Sequence, residues 1–582
     1  MTRLFAAAVW LMLASGLHGD EPPASSADES AQHRQLDSRF LLGEEVLRQP
    51  VDTAAFRPVP DQAPIDRFEG TLSLEIRPGA GRFRILTDWF GYAAKPSLHV
   101  GELPPFRFSF VQDGSDVIPL LRGPQASTHP HWEYILEPGK AWNETRDGGW
   151  TRVALPFSLQ ERNANCTHNG LLTFLFRATG EVSRVAYQVG SETCQYLQLD
   201  LWGVLPASYE PGKVAAARQV IEAYRSEVAA RLPRRPLQAL LAKFPQAELS
   251  NFDWYPADEV STFGFAIDGV HYSGGCATRY GPYPFCDILD LPSYSLAKSI
   301  FAGTVYMMLE QSNPGIATLA VADFVPQCAS DPRWTGVTLG HLVDMATGNF
   351  ESLEMDVDEF ASYETPFISG ETHALKIATA CTLFPRRAAP GTTFAYHTSD
   401  TYIAGTLLNA WLRRDYGPQA DIHRDVLVAG LMQPLGLSPV TATTRRSYDE
   451  TAQPFTGYGL TLHADDIVRL GLFLGRGDGR ISDRTVLSPA ELAAALQRNA
   501  RDTGIRAGAE DLRYNNGFWA LRTDLLGACS EPLWLPFMSG YGGISVVLMP
   551  NNSLFYVFSD KGRFEWLRAA VESNKLIKMC HK

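Results

Sequence analysis

A serine and a lysine three residues apart, Ser295 and Lys298, stand where an apolar helical pattern begins. The pattern continues through Phe301 and Val305 and stops at Asn313, which a proline and a glycine follow. Residues i and i+3 share one face of a helix, so the hydroxyl and the amine meet only if a helix starts here. Such a pair is a nucleophile with its own base, the chemistry of acyl transfer. The chain is therefore expected to fold around a mostly buried helix whose first turn carries both residues.

The length and the charge of the chain limit its organisation and its partners. With 582 residues it exceeds what a single hydrophobic core usually serves, which predicts two or three domains. The net charge is −13, from 64 acidic and 51 basic residues. Nucleic acid is not an expected partner, because no basic tract could follow a phosphate backbone. No stretch beyond the N-terminus has the length and apolar character of a transmembrane helix.

The N-terminus has the pattern of a secretory signal peptide, assigned to residues 1–19. A cationic start at Arg3 leads into the apolar run of residues 4–13 and then into small residues up to Gly19. Since this run is too short to span a bilayer, we predict cleavage near Gly19 and a periplasmic or secreted location. Residues 20–62 are polar and rich in proline, which is typical of a flexible linker.

Eight cysteines in an exported chain are expected to form disulfides. Spacing favours local pairs, although the sequence alone does not fix the connectivity. The predicted pairs are Cys166 with Cys194, Cys276 with Cys286, Cys328 with Cys381, and Cys529 with Cys580. No CxxC motif occurs, and the neighbouring His129 and His131 have no further ligands nearby, so neither a metal site nor a cofactor is predicted.

Two patterns of residues divide the remaining chain into a multidomain arrangement. Residues 63–207 contain short runs in which apolar and polar residues alternate, and Gly and Pro residues separate the runs. This pattern predicts an all-β sandwich of jelly-roll type. Residues 208–246 are rich in Ala, Glu and Arg and are interpreted as a helical linker. Residues 247–582 alternate helical and strand segments, as an α/β or α+β domain does.

Four segments of the C-terminal part, taken in order, resemble the motifs of the serine β-lactamase and penicillin-binding-protein superfamily, in its class C and esterase branch. Ser295 and Lys298 resemble the first motif, and residues 337–348 resemble a helix that ends in Thr-Gly. Tyr396 matches the tyrosine of the second motif, and residues 538–543 stand where the third is expected. A strand hairpin and a closing helix follow. The resemblance implies a β-lactamase-like domain over residues 247–582, with an antiparallel sheet flanked by helices.

The resemblance also implies a role for each matched residue. Ser295 would form an acyl-enzyme, with Lys298 and Tyr396 as general base and acid. The backbone amides of Ser295 and Tyr541 would hold the oxyanion. Burial and the helix start both disfavour a charged Lys298, which predicts a lowered pKa. The remaining matched positions would line the substrate pocket, and they are Thr398, Gly540 and Gly542.

Two departures from the family pattern bear on the substrate. Thr398 stands where class C β-lactamases carry Asn, and Met538 stands where they carry a basic residue that grips a substrate carboxylate. The implied substrate is therefore a small-molecule ester or short amide, cell-wall-derived compounds included. One alternative is a DD-carboxypeptidase or β-lactamase acting on peptidoglycan or β-lactams. Another is a non-catalytic binding or sensor protein that keeps the fold, and the sequence leaves the oligomeric state open.

Overall fold

The computed structural model describes residues 33–524 and 532–580. The predicted signal peptide and the first part of the predicted linker lie outside these residues, as does Cys529. In the described part, two large sheets organise the chain, one in each half. No helix in these two stretches combines the length and the apolar character that a membrane span needs.

The first sheet has eleven strands, and all its neighbouring strands are antiparallel. The order is β11-β1-β3-β4-β6-β7-β8-β9-β10-β2, and β5 pairs with β7. The strands are β1 Gly70–Leu74, β2 Gly81–Asp88, β3 Phe106–Asp113, β4 Asp116–Pro119, β5 Trp132–Leu136, β6 Gly139–Asn143, β7 Thr151–Glu161, β8 Thr167–Phe176, β9 Val185–Thr193, β10 Leu197–Leu205 and β11 Ala207–Pro211. The all-β character of this half is thus as predicted, while its division into the two layers of a sandwich stays a prediction.

Strand β8 is buried along its whole length because both faces of the sheet are covered there. Leu172 and Phe174 point into a core whose fully buried members all come from the first half of the chain. Leu171 and Leu175, on the opposite face, share a larger core with the C-terminal half, including Leu296 next to the predicted nucleophile. The two halves are therefore joined by a common apolar interior.

Two short helices accompany the first sheet. Helix α1 (Ser38–Leu42) lies within the stretch predicted as a flexible linker, and helix α2 (Ala217–Ala230) lies within the predicted helical linker. Leu36 and Phe56, which flank α1, are fully buried. From His33 to Phe56 the chain is therefore packed on the protein, because its apolar side chains find a core despite the polar composition of residues 20–62.

The second sheet has nine strands in the order β12-β14-β13-β26-β25-β24-β23-β22-β21, and only the β12–β14 pair is parallel. Three two-stranded ribbons complete the strands of this half. The strands are β12 Arg234–Pro236, β13 Val260–Ile267, β14 Val270–Gly275, β15 Ala277–Thr278, β16 Gly281–Pro282, β17 Leu291–Pro292, β18 Thr461–Leu462, β19 Arg480–Ile481, β20 Arg484–Thr485, β21 Ile505–Arg506, β22 Leu512–Asn515, β23 Phe518–Thr523, β24 Leu533–Gly540, β25 Ile544–Met549 and β26 Ser553–Ser559.

Helices cover both faces of this second sheet. Gly471 of α10 packs against Leu554 on one face, and Ala569 of α12 lies in the core of the other face. The helices are α3 Thr304–Ser312, α4 Val321–Phe324, α5 Pro326–Ala329, α6 Leu339–Val343, α7 Thr365–Ser369, α8 His373–Ala380, α9 Thr398–Tyr416, α10 Ala464–Arg476, α11 Pro489–Ala495 and α12 Leu567–Leu576, with π-helical segments at Lys298–Gly303 and Ile422–Met432. The predicted antiparallel sheet flanked by helices is confirmed.

Three of the four predicted disulfides are present. Cys166 pairs with Cys194 in the first sheet domain, Cys276 with Cys286 in the loop that leads to the nucleophile, and Cys328 with Cys381 between α5 and the end of α8. The fourth predicted pair, Cys529 with Cys580, depends on a residue outside the described ranges.

Candidate active site

The segment around the predicted nucleophile, Ser295, is a tight turn between strand β17 and the π-helical segment that precedes α3. Tyr294, directly before Ser295, has a φ of +40°, which a residue with a side chain adopts only under constraint. Lys298 begins the helical segment, and its Nζ lies 2.9 Å from Ser295 Oγ. The structure thus brings the two residues together as the i, i+3 spacing predicts.

Lys298 is almost fully buried and is surrounded by oxygen atoms. Besides Ser295, its amine donates to Thr398 Oγ1 at 2.8 Å and to the carbonyl of Gly457 at 3.4 Å. Burial lowers the pKa of Lys298 to about 8, although the carboxylates of Glu359, Glu364 and Asp356 raise it. An amine with this pKa is neutral in a large fraction of molecules just above neutral pH, and so it can accept a proton.

Tyr396 lies beside the same amine, with the Lys298 Nζ 4.7 Å from the centre of its ring. The ring of Trp519 packs against that of Tyr396, at 5.7 Å between ring centres. Burial raises the pKa of Tyr396 well above its usual value, and a hydrogen bond with Ser295 opposes that rise. The phenol is therefore protonated at working pH and can act as a proton donor next to Ser295.

Glu359 extends this arrangement, and the sequence did not single it out. Its carboxylate accepts hydrogen bonds from the backbone N–H of Thr398, at 2.8 Å, and from the Thr398 hydroxyl. Thr398 is the first residue of α9, where the helix dipole favours a negative charge. A continuous chain of hydrogen bonds thus links Ser295, Lys298, Thr398 and Glu359. The available signal was the run of five acidic residues within 351–359, and composition alone does not show whether such a run faces solvent or an amine.

His397 fixes the acidic segment to the tyrosine. Its Nε2 lies 3.1 Å from Asp358 and its Nδ1 3.4 Å from Asp400, while its ring stacks on Phe384 at 3.9 Å. Burial lowers the pKa of His397, but the hydrogen bonds to both carboxylates outweigh it and raise the pKa to about 10. The charged imidazolium therefore ties residues 351–361 to the backbone that carries Tyr396.

Asn165, from the first sheet domain, reaches the turn before Ser295 from outside the C-terminal domain. Its Oδ1 accepts from the Ser293 hydroxyl at 3.2 Å, from the Tyr294 N–H at 2.8 Å and from the Gly459 N–H at 2.9 Å. The side chain is buried, and 129 residues separate it from Tyr294 in the chain. Nothing local in the sequence signals such a contact.

The third-motif residues lie on the other side of the nucleophile turn. A Cβ on Gly540 would lie 2.9 Å from the Ser293 carbonyl oxygen, so glycine lets β24 come close. The ring of Tyr541 lies 5.8 Å from that of Tyr294, and Gly542 has a φ of +88°. Met538 is buried in the apolar core, so it places no cation here.

The described residues contain one group whose spacing could suit a metal ion, namely Glu137, Asp290 and His463. All three are buried. Burial lowers the pKa of His463, but the carboxylates of Glu137 and Asp290 outweigh it and raise the pKa to about 10. The ring is therefore a buried cation, and its Nε2 faces Glu137 at 3.4 Å and Asp290 at 3.7 Å. This geometry is that of a buried cluster of opposite charges between the two domains.

Comparisons with known proteins give structural neighbours only. No protein-family model and no curated protein matches the chain. A Bacillus anthracis protein described as a candidate 6-aminohexanoate-dimer hydrolase is 16% identical, with a TM-score of 0.41 over 58% of this chain and 80% of that one. A penicillin-binding-protein homolog from Caulobacter crescentus is 18% identical, with a TM-score of 0.36 over 54% and 92%.

A third neighbour is EstCE1, a hydrolase with promiscuous acyltransferase activity, which is 16% identical with a TM-score of 0.39 over 61% of this chain and 99% of that one. The neighbours are serine β-lactamase-like and penicillin-binding-protein-like proteins, the superfamily whose motifs the sequence resembles. At such low identity, the chemistry of this chain has to be argued from its own site residues.

Proposed function

We propose that this chain is an exported serine hydrolase that cleaves an ester or a short amide through an acyl-enzyme on Ser295. The observation that carries the proposal is the 2.9 Å contact between the Ser295 hydroxyl and the buried amine of Lys298. A serine hydroxyl is a poor nucleophile at neutral pH, and a neutral lysine amine can remove its proton during attack.

In the acylation step, Ser295 Oγ attacks the substrate carbonyl carbon while its proton passes to Lys298. The backbone amides of Ser295 and Tyr541 would then stabilise the oxyanion of the tetrahedral intermediate. Neither amide donates to another group within the described stretches of chain. Removing one such donor costs other enzymes about 3 kcal/mol.

The leaving group requires a proton as the carbon–oxygen or carbon–nitrogen bond breaks. Tyr396 supplies it from the phenol and regains one from the Lys298 ammonium. In the second half of the reaction a water molecule takes the place of the leaving group and loses its proton along the same path. Ser295 recovers its proton when the acid product departs, so the cycle is closed.

Glu359 and Thr398 hold the base in place in this scheme. Thr398 accepts a hydrogen bond from the Lys298 amine and donates its own hydroxyl proton to Glu359. The arrangement fixes the direction of the lysine side chain, and the carboxylate moderates the fall in its pKa. We expect this pair to set the pH at which the base becomes active.

The site favours substrates that lack a carboxylate beside the scissile bond. Met538 is buried, so it supplies no cation there, and the carboxylates of Glu359, Glu364 and Asp356 lie close enough to Lys298 to raise its pKa. A carboxylate would be repelled in these surroundings. An uncharged ester or amide is therefore preferred over a β-lactam or a peptidoglycan stem.

A fluorophosphonate probe tests the nucleophile. We expect covalent labelling of the wild type, loss of labelling in Ser295→Ala and normal labelling in the matched control Ser299→Ala. Ser299 lies in the same helical segment and donates to the carbonyl of Gly517. Absence of labelling in a folded wild type would favour a binding or sensor protein. Parallel assays with a short-chain ester and a chromogenic cephalosporin then rank the substrates, and hydrolysis of the cephalosporin alone would refute the ester preference.

Export is part of the proposal. The three disulfides fit an oxidising compartment such as the periplasm or the extracellular space. Mass spectrometry of protein from a secretion-competent host is expected to find a mature N-terminus close to Asp20. A mature chain that still begins at Met1 would contradict it.

A further inference from the structure

Five aromatic rings from both domains form a connected surface beside the nucleophile, which we name the aromatic trough. Phe90 lies 5.2 Å from Tyr196, Tyr196 lies 6.2 Å from Tyr541, and Tyr541 lies 5.6 Å from Phe360, all between ring centres. The ring of Tyr294 lies 5.8 Å from that of Tyr541. Since Tyr294 branches from the middle of this row and directly precedes Ser295 in the chain, the surface passes beside the reacting group.

The floor of the trough is held in place. The Tyr196 hydroxyl donates to Glu161 at 2.6 Å, and Asn165 fixes the backbone of Tyr294. Tyr294 and Tyr541 pack against the core of the first sheet domain, so the floor spans the domain boundary. These rings are preorganised, which lowers the entropic cost of binding a ligand on them.

The two outer rings are exposed. Phe90 retains 54% and Phe360 62% of its accessible surface, and Trp89, next to Phe90, retains 57%. Core packing explains buried aromatic residues, but it does not explain large apolar rings left in solvent at both ends of a row of ring contacts. An exposed apolar surface that is continuous with a reactive group is typical of a ligand-binding site.

The chemistry of the rings selects the ligand. Aromatic rings attract one another in offset or edge-to-face arrangements with centres 4.5–7 Å apart, which is the spacing already present along the trough. Phe90 and Phe360, at its two outer ends, offer no hydrogen bond to the hydroxyls of a sugar. A planar aromatic group suits this surface better than a saccharide or a charged group.

We propose that the aromatic trough binds an aromatic group of the substrate, in the acyl or the alcohol part, while Ser295 attacks the neighbouring carbonyl. The first sheet domain thereby contributes to substrate binding through Phe90 and Tyr196. This inference rests on the proposed hydrolase function and adds the substrate class to it.

Two matched ester pairs test the proposal by kcat/KM. Ethyl phenylacetate against ethyl cyclohexylacetate varies the acyl part, and benzyl acetate against cyclohexylmethyl acetate varies the alcohol part. The wild type is expected to prefer the aromatic member of at least one pair. We expect each of the variants Phe90→Ala and Phe360→Ala to lower kcat/KM for the aromatic ester about 3- to 10-fold. The kcat/KM for the matched aliphatic ester should change less than twofold.

Phe83→Ala is the control, because this phenylalanine is also exposed, at 49%, in the same domain and has no ring contact with the trough. We expect Phe83→Ala to leave kcat/KM unchanged for both the aromatic and the aliphatic ester. Equal losses for aromatic and aliphatic esters, or no aromatic preference in either pair, would overturn the proposal. Faster turnover of acetylated sugars than of all four esters would also overturn it, in favour of a saccharide site.

A binding experiment separates this proposal from the hydrolase function. Calorimetry with Ser295→Ala compares phenylacetamide with cyclohexylacetamide, and neither has to be turned over. Tighter binding of the aromatic amide, weakened by Phe90→Ala in the same background, supports the trough even if the wild type fails to hydrolyse esters. Equal binding of both amides refutes the trough even if fluorophosphonate labels Ser295.

Discussion

Replacing Asn165 with alanine tests whether the first sheet domain holds the nucleophile in its reactive position. The side chain lies at the end of three hydrogen bonds, two of which come from Ser293 and Tyr294, directly before the nucleophile. Tyr294 has a left-handed backbone, which surrounding contacts must maintain. Losing the amide oxygen removes the acceptor for the N–H of this strained residue.

The size of the effect follows from the number of bonds. Each buried hydrogen bond contributes about 0.5–1.5 kcal/mol, so three of them contribute about 1.5–4.5 kcal/mol. If about 1.4–2.8 kcal/mol of that sum stabilises the reactive position of Ser295, its loss lowers the acylation rate about 10- to 100-fold. The rest reduces the stability of the domain interface.

The assay is the rate of fluorophosphonate labelling, measured together with thermal unfolding, for three variants. Asn165→Ala should slow labelling 10- to 100-fold, whereas Asn165→Asp keeps an acceptor oxygen and should recover most of the rate. Asn163→Asp is the control for a weakened interface. Asn163 donates from the same loop to the carbonyls of Ile368 and Gly370, away from the nucleophile turn, and aspartate tolerates its φ of +60°.

The reasoning is refuted if Asn165→Ala labels at the wild-type rate while it unfolds at a lower temperature, as Asn163→Asp is expected to do. Asn165 would then be an interface anchor only. A low labelling rate in both Asn165→Ala and Asn163→Asp would indicate instead that a general loosening of the domain interface slows the reaction.

Three further predictions concern the base, the acid and the loop before the nucleophile. Because the pKa of Lys298 is about 8 and only its neutral form accepts a proton, kcat/KM should rise as pH passes through 8. Glu359→Gln should move that midpoint to lower pH, since the carboxylate favours the charged lysine, and an unchanged midpoint in the pH–rate profile would contradict this. Tyr396→Phe should lower kcat about 10²- to 10⁴-fold with an unchanged circular dichroism spectrum, and a near-normal rate would remove its role as the acid. Replacing Cys276 and Cys286 by serine should lower the free energy of unfolding by about 2–3 kcal/mol, read from denaturant titration, and unchanged stability would show that this bridge constrains little.

The parts of the site that could be predicted from the sequence are those that depend on local spacing. Ser295 and Lys298 meet because one helical turn separates them, and Cys276 and Cys286 pair across ten residues. Thr398 was reached through its place two residues after Tyr396 in a segment that resembles the second motif. The first two contacts are fixed by short stretches of chain, so the residue pattern contains the information, whereas the contact of Thr398 with Lys298 spans 100 residues and depended on the resemblance.

Glu359 and Asn165 could not be predicted because their partners are distant in sequence. The contact of Glu359 with Thr398 spans 39 residues, and an acidic run in a loop has the same composition whether it faces solvent or an amine. Asn165 needed the packing of two domains to be known. The same reason applies to residues 33–56. Their apolar side chains are buried against strands of the first sheet that lie much further along the sequence.

Together these contacts make the domain boundary part of the candidate active site. Leu171 and Leu175 of the first sheet share a core with Leu296, so the nucleophile turn is packed from the side of the other domain. Asn165 satisfies the backbone of that turn, and Tyr196 extends the surface next to Tyr541. Apolar burial alone would hold the domains together in many orientations, because it has no direction. Directional polar contacts restrict that freedom, among them the ion pairs of Arg279 with Glu192 and of Arg445 with Glu133. The hydrogen bonds of Asn165 act directly on the backbone before Ser295, the residue that faces Lys298 and Tyr396.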